Sequence, residues 1–222
     1  MDFIRALQDS FIEHASHSNK CAMEAYMKHK FEFYGIKSPE RKMILKKAIK
    51  NHKAEVFENC RTIIKKLYLL PQREFHYCAM EIMDEFLKKN YILDDIGLIE
   101  FLLITNSHWD SVDFISKHIL GNYLLIYVNK TEEVINNFSD SDNIWLHRSA
   151  ILYQLGYKEN TNADILFREC RKHSSSNEFF IQKAIGWALR EYAKVNPGSV
   201  LKFVKYNSLP SLSRREALKH FN

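Results

Sequence analysis

Apolar residues recur at steps of three and four along almost the whole chain, the spacing that lines one face of an α-helix. Phe3, Leu7, Phe11 and Ile12 mark one helix, and Met23, Tyr26, Met27, Phe31 and Tyr34 mark a second. Ser38-Pro39-Glu40 then reads as an N-cap, a proline at the first helical position and an early acid. Further helices are expected over 39–51, 55–69, 72–89, 94–105, 108–119, 131–138, 142–157, 161–172, 177–195, 198–206 and 211–220. Connections such as Ser139-Asp140-Ser141 and Ser174-Ser175-Ser176 are short and polar, and no long linker interrupts the 222 residues, so a single domain over 1–222 is expected. With only 6 Gly and 4 Pro, the chain is poor in the turn formers that a β-sandwich or barrel spends. Its glycines stand alone, which excludes the clustered pattern of a Rossmann or P-loop fold. The expected class is all-α.

Some of these helices resemble one another. Phe75, Trp109, Trp145 and Phe180 follow at intervals of 34, 36 and 35 residues. Three positions after each aromatic stand Cys78, Val112, Arg148 and Lys183, and seven positions after it stand Ile82, Ser116, Leu152 and Trp187. A period in this range, with two helices per unit, is the pattern of an α-solenoid of HEAT-like repeats, in which corresponding helices line a concave face. Four positions after the aromatic the repeats carry Ala79, Asp113, Ser149 and Ala184. Asp113 thus places a carboxylate in a slot filled elsewhere by small residues, and then runs into apolar Phe114 and Ile115. Partial burial of a carboxylate is costly unless it is paired or serves a purpose. A helix-start acid, with Ser107 and Asp110 as a capping-box-like pair, accounts for Asp110 but not for Asp113, which lies beyond the first turn.

Composition excludes several classes. The longest strongly apolar run, Tyr123 to Val128, is too short to cross a bilayer, and the amphipathic N-terminus has no signal-peptide core. Cys21, Cys60, Cys78 and Cys170 are widely spaced, as expected of ordinary buried thiols in a reduced, cytoplasmic protein. None of the 10 His lies in a His-Glu-x-x-His arrangement, so neither a metal nor another cofactor is expected.

The segment Glu178 to Lys194 mixes cations with a large aromatic. Lys183, Trp187, Arg190 and Lys194 are spaced i, i+4, i+7 and i+11 and share one helix face, while Ile181, Ile185, Ala188 and Leu189 supply the apolar side. Trp145 with Arg148, and Trp109 with Asp113, are likewise one turn apart. Cations, aromatics and one acid on corresponding helices suit a polyanion whose backbone is gripped while an aromatic reads something neutral or cationic. Against this, Trp at helical spacing is usually core, as expected for Trp145, and the net charge of +5 is modest for a nucleic-acid binder.

Trp109-Asp110-Ser111-Val112-Asp113, Asp142 through Arg148, and Glu178 through Tyr192 together resemble bacterial AlkD-type DNA glycosylases, a family of HEAT-like-repeat enzymes. Ala22 to Arg41 and Pro210 to Ala217 resemble the two ends of that family, so the likeness runs over essentially the whole chain. The resemblance implies hydrolysis of the N-glycosidic bond of cationic N3- and N7-alkylpurines, such as 3-methyladenine and 7-methylguanine, in double-stranded DNA without base flipping. It implies Asp113 as the catalytic carboxylate and Trp109 and Trp187 as aromatics on the lesion nucleotide. It further implies Arg148 and Arg190 as cations on the DNA backbone and Tyr26 as a DNA contact from the N-terminal helices. With Lys183 and Lys194 on the same basic face, the expectation is a monomeric, monofunctional glycosylase of the bacterial cytosol, with no lysine in the Trp109–Asp113 segment to act as a Schiff-base nucleophile. One departure is His108, where the family pattern has a Trp; it is expected to face solvent. The alternative within the same scaffold is a paralogue that binds damaged or branched DNA without excising bases. A protein-binding solenoid is disfavoured because it gives Asp113 nothing to do.

Overall fold

A computed structural model describes residues 2–221, and no strand occurs among them; one isolated bridge joins Glu32 and Gln72. The helices fall into two compact units, one ending at Ile92 and the other beginning at Leu93. The first comprises α1 (Asp2–Glu13), α2 (His17–Tyr26), α3 (Ser38–Asn51), α4 (Lys53–Glu58), α5 (Cys60–Tyr68) and α6 (Arg73–Leu87). The second comprises α7 (Asp95–Ile104), α8 (Trp109–Phe114), a π-helical turn (Ile115–Leu120), α9 (Gly121–Ile126), α10 (Thr131–Asp140) and α11 (Ile144–Leu152). It continues through α12 (Ala163–Lys172), α13 (Phe179–Ala193), α14 (Pro197–Tyr206) and α15 (Ser211–Ala217). Each unit buries its own apolar stripes: Phe3, Leu7 and Phe11 of α1 in the first, and Ile181, Ile185 and Leu189 of α13 in the second. No helix of the described residues is long and apolar enough to cross a membrane.

The periodicity reads through two real breaks. The second helix ends at Tyr26 rather than running on through Phe31 and Tyr34, because Lys28 and His29 adopt positive φ (54° and 55°) and the chain leaves extended. Glu74 of α6 then captures this strand-like stretch, accepting hydrogen bonds from the N–H groups of Tyr34 (3.2 Å), Gly35 (2.9 Å) and Ile36 (3.2 Å). A carboxylate taking three backbone donors offers those groups a partner that competes with helix continuation. The helix expected over 55–69 is broken at Asn59, which caps one helix and precedes the next. Cys21 is exposed, unlike the three other thiols, which are buried as expected.

The 35-residue correspondence survives folding. Trp109, Trp145 and Phe180 begin or nearly begin α8, α11 and α13 of the second unit, and Phe75 stands near the start of α6 in the first. Ala79, Ser149 and Ala184, in the small-residue slot, are fully buried. Only Asp113 in that slot keeps some exposure, at 18% of its side chain. Three residues on, the Ser116 hydroxyl donates to the Val112 carbonyl (2.6 Å), with Ser149 Oγ 2.9 Å from its oxygen. Here the helix widens into the π turn, a feature frequent at functional sites.

Candidate functional site

A cavity of about 320 Å³ in the second unit is lined by Trp109, Asp113, Arg148, Phe179, Phe180, Lys183, Trp187, Arg190 and Glu216. Six of these are residues that the sequence singles out, contributed by α8, α11 and α13, the corresponding helices of successive repeats. Trp109 and Trp187 are both half-buried, and Trp187 also packs against the apolar cluster around Leu189 and Ala217. Each indole therefore presents part of its surface to the cavity while the remainder is held by packing.

Asp113 and Arg148 form the cavity's most constrained pair. Arg148 Nε donates to Asp113 Oδ1 (2.7 Å) and Nη2 to Oδ2 (2.9 Å), a two-pronged geometry that fixes the carboxylate plane. A third donor, Nη1, meets the Phe180 carbonyl. Arg148 is 4% exposed. Its guanidinium is drawn inward onto Asp113, a pairing that the sequence reading did not anticipate. The reason lies one repeat away, since Arg148 stands three positions after its aromatic and so reaches the odd carboxylate in the neighbouring small-residue slot. Burial pushes the Asp113 carboxyl up from the ordinary carboxylate range, with the Arg148 hydrogen bonds pulling against it.

Behind this pair lies an aromatic wall. His108, expected to face solvent, is 5% exposed and packs edge-on against Trp145 (5.9 Å) and Phe180 (5.8 Å). It is the N-cap residue of α8, in extended conformation, and its carbonyl accepts from the N–H groups of Ser111 (3.1 Å) and Val112 (3.0 Å). His108, not Ser107, is the N-cap residue of α8, and the Ser107 hydroxyl donates to the Leu103 carbonyl. Trp145 is half-buried against Phe180 (5.2 Å) rather than enclosed in the core.

The basic face divides. Lys183 and Arg190 reach the cavity, and both contact Glu216 of α15, through Lys183 Nζ (3.0 Å) and Arg190 Nη1 (2.5 Å). Lys194 follows the last residue of α13, pairs with Glu191 (2.6 Å) and lines a different cavity with Lys158 and Gln154. Its 11-residue spacing from Lys183 preserves direction but moves it three turns along the axis, past the site. Tyr26 closes α2 in the first unit, with 72% of its surface exposed. Glu216, Phe179 and Phe180 are the residues not assigned to the site from sequence. Phe180 carried a signal as the aromatic of the fourth repeat; Glu216 carried none, since only the packing of α15 on α13 brings it in. Among the described residues, no group of three or more His, Cys, Asp or Glu could hold a metal ion.

What this defines is an all-helical repeat protein with an acid, cations and aromatics converging on one cavity. The chain belongs to the DNA alkylation repair enzyme family, which matches residues 7–221. A solved structure described as a predicted DNA alkylation repair enzyme from Enterococcus faecalis is 32% identical, with a TM-score of 0.84, covering 93% of this chain and 96% of that one. No curated protein matches the chain.

Proposed function

We propose that this member of the family is a DNA glycosylase that hydrolyses the N-glycosidic bond of cationic N3- and N7-alkylpurines in duplex DNA. The observation that carries the reading is Asp113, a carboxylate oriented by two hydrogen bonds from a buried arginine in a cavity walled by two tryptophans. An alkylated purine already bears positive charge. When its C1′–N bond breaks, the bonding pair leaves with the base, which departs neutral without prior protonation. Positive charge then develops on the sugar as an oxocarbenium ion, and a preorganised carboxylate stabilises it. Water adds to C1′ and its surplus proton passes to solvent. Arg148 is a positioning residue here, holding Asp113 in one orientation, and the indoles of Trp109 and Trp187 offer faces to the cationic nucleotide. Lys183 stands in the cavity wall with its ammonium on Glu216, an arrangement that suits a monofunctional enzyme better than a Schiff-base lyase.

The test is release of free base from a 7-methylguanine-containing duplex by the purified protein, against the spontaneous rate. Release well above background supports the reading. Intact duplex binding without release is the result expected of a non-excising DNA binder on the same scaffold.

A further inference from the structure

Glu216 is delivered to its partners by a close approach of two helices. α15 packs against α13 more extensively than any other pair of helices in the second unit. Gly186 makes this possible: a Cβ there would stand 2.5 Å from Glu216 Cβ and 2.9 Å from the Ser213 carbonyl. The Ser213 hydroxyl donates to the Gln182 carbonyl (2.8 Å), fixing the register of the two helices. The Glu216 carboxylate is thereby set against Lys183 and Arg190, whose hydrogen bonds hold its carboxyl below the usual carboxylate range.

The charges lining the cavity sort into two groups. Asp113 and Arg148 cancel, which leaves Lys183 and Arg190 against Glu216. The carboxylate is 14% exposed, whereas the Lys183 and Arg190 side chains are 38% and 21% exposed, so the cations keep an open side toward solvent. The unit as a whole has no cationic excess, with 15 Lys and Arg against 15 Asp and Glu from Leu93 onward. Two bare cations beside the cavity would hold any phosphodiester equally, because backbone contacts carry no information about the base.

We propose that Glu216 limits the grip of this cavity on the DNA backbone: its carboxylate occupies Lys183 and Arg190 in place of a backbone phosphate, so that duplex is held weakly here and gains these cations only by displacing it. The inference rests on the proposed reading of the cavity as the site facing DNA.

Glu216→Gln keeps the volume of the side chain and can still accept hydrogen bonds, but removes the charge. The probe is an undamaged duplex, with affinity measured over a salt series. Binding is expected to tighten by roughly eightfold at 0.1 M salt, with a slope of log affinity against log salt steeper by about one unit. Lesion-containing duplex should gain by a similar factor, because the contact released is to the backbone. Weaker or unchanged binding at an unchanged slope overturns the proposal, since that is what a mere tether for the two cations would give. Glu216→Asp, which keeps the charge, should retain the wild-type slope, and an Asp variant that behaves like the Gln variant also overturns it. Should Glu216→Gln fail to fold, carbon-13 titration of the Glu216 carboxyl in the unaltered protein decides. Its pKa should rise toward the ordinary range when undamaged duplex is bound, and no rise defeats the proposal. Free-base release by the wild-type protein is scored separately. Its absence would count against the glycosylase reading and leave the salt series to judge Glu216.

Discussion

The oddest residue in the repeat alignment, Asp113, is also the one whose geometry is most tightly specified, and the two facts share a cause. A carboxylate in a slot built for Ala or Ser is tolerable only with a partner, and Arg148 supplies two hydrogen bonds to it. Asp113→Asn should lower excision at least about tenfold, roughly 1.4 kcal/mol of transition-state stabilisation, with undamaged-duplex affinity little changed. Single-turnover base release beside equilibrium binding checks this, and wild-type excision would remove Asp113 from the mechanism. Because burial raises the Asp113 pKa, the carboxylate is lost as pH falls through a value above the usual carboxylate range, and excision should fall with it. The contribution to folding runs the other way, since protonation relieves the cost of a buried charge. Arg148→Gln removes the hydrogen bonds that oppose the shift, so the acid limb of the excision profile should move to higher pH. An unmoved limb would contradict the positioning role of Arg148. The same variant should lose about 1–3 kcal/mol of stability by leaving Asp113 short of its partner.

At the scale of the helix, α13 does three things at once. Its apolar side buries Ile181, Ile185 and Leu189, its cavity side presents Lys183, Trp187 and Arg190, and Gly186 admits α15. Glycine inside a helix usually costs about 0.5–1 kcal/mol relative to alanine, so Gly186→Ala would stabilise an isolated α13. In the folded chain the added methyl meets backbone of α15 at 2.9 Å, and separating the two helices is expected to outweigh that gain, with a net loss of about 1–3 kcal/mol in denaturant melts. Trp187→Ala should lower excision and lesion preference while leaving the salt slope of binding nearly unchanged. Because Trp187 is only half-buried, its stability loss should fall below the roughly 3–5 kcal/mol of an enclosed tryptophan. Lys194 stands apart from this cavity, so Lys194→Ala should alter duplex affinity less than Arg190→Ala does.

Across the whole molecule, charge is distributed unevenly. The net +5 resides entirely in the residues up to Ile92, which hold 17 Lys and Arg against 12 Asp and Glu. Lys42, Lys46, Lys47 and Lys50 are exposed along α3. Lys46→Glu with Lys47→Glu should slow association with duplex at low salt and flatten its ionic-strength dependence, leaving the lesion preference alone. Stopped-flow association rates over a salt series provide the check. The helical class, the 35-residue correspondence and the anomaly of Asp113 were legible in sequence because periodicity and side-chain volume act locally, whatever the neighbours. The same local logic overran at Phe31 and Tyr34, where Glu74, some forty residues on, claims the backbone. It also misjudged His108 and did not anticipate the pairing of Arg148 with Asp113, since neither burial nor pairing can be read from a residue's own helix. The sequence by itself determined which helices carry acid, cation and aromatic. Tertiary structure alone decided which of those charges are spent on one another, because ion pairing depends on distances of about 3 Å between elements that the chain separates by 26 to 35 positions.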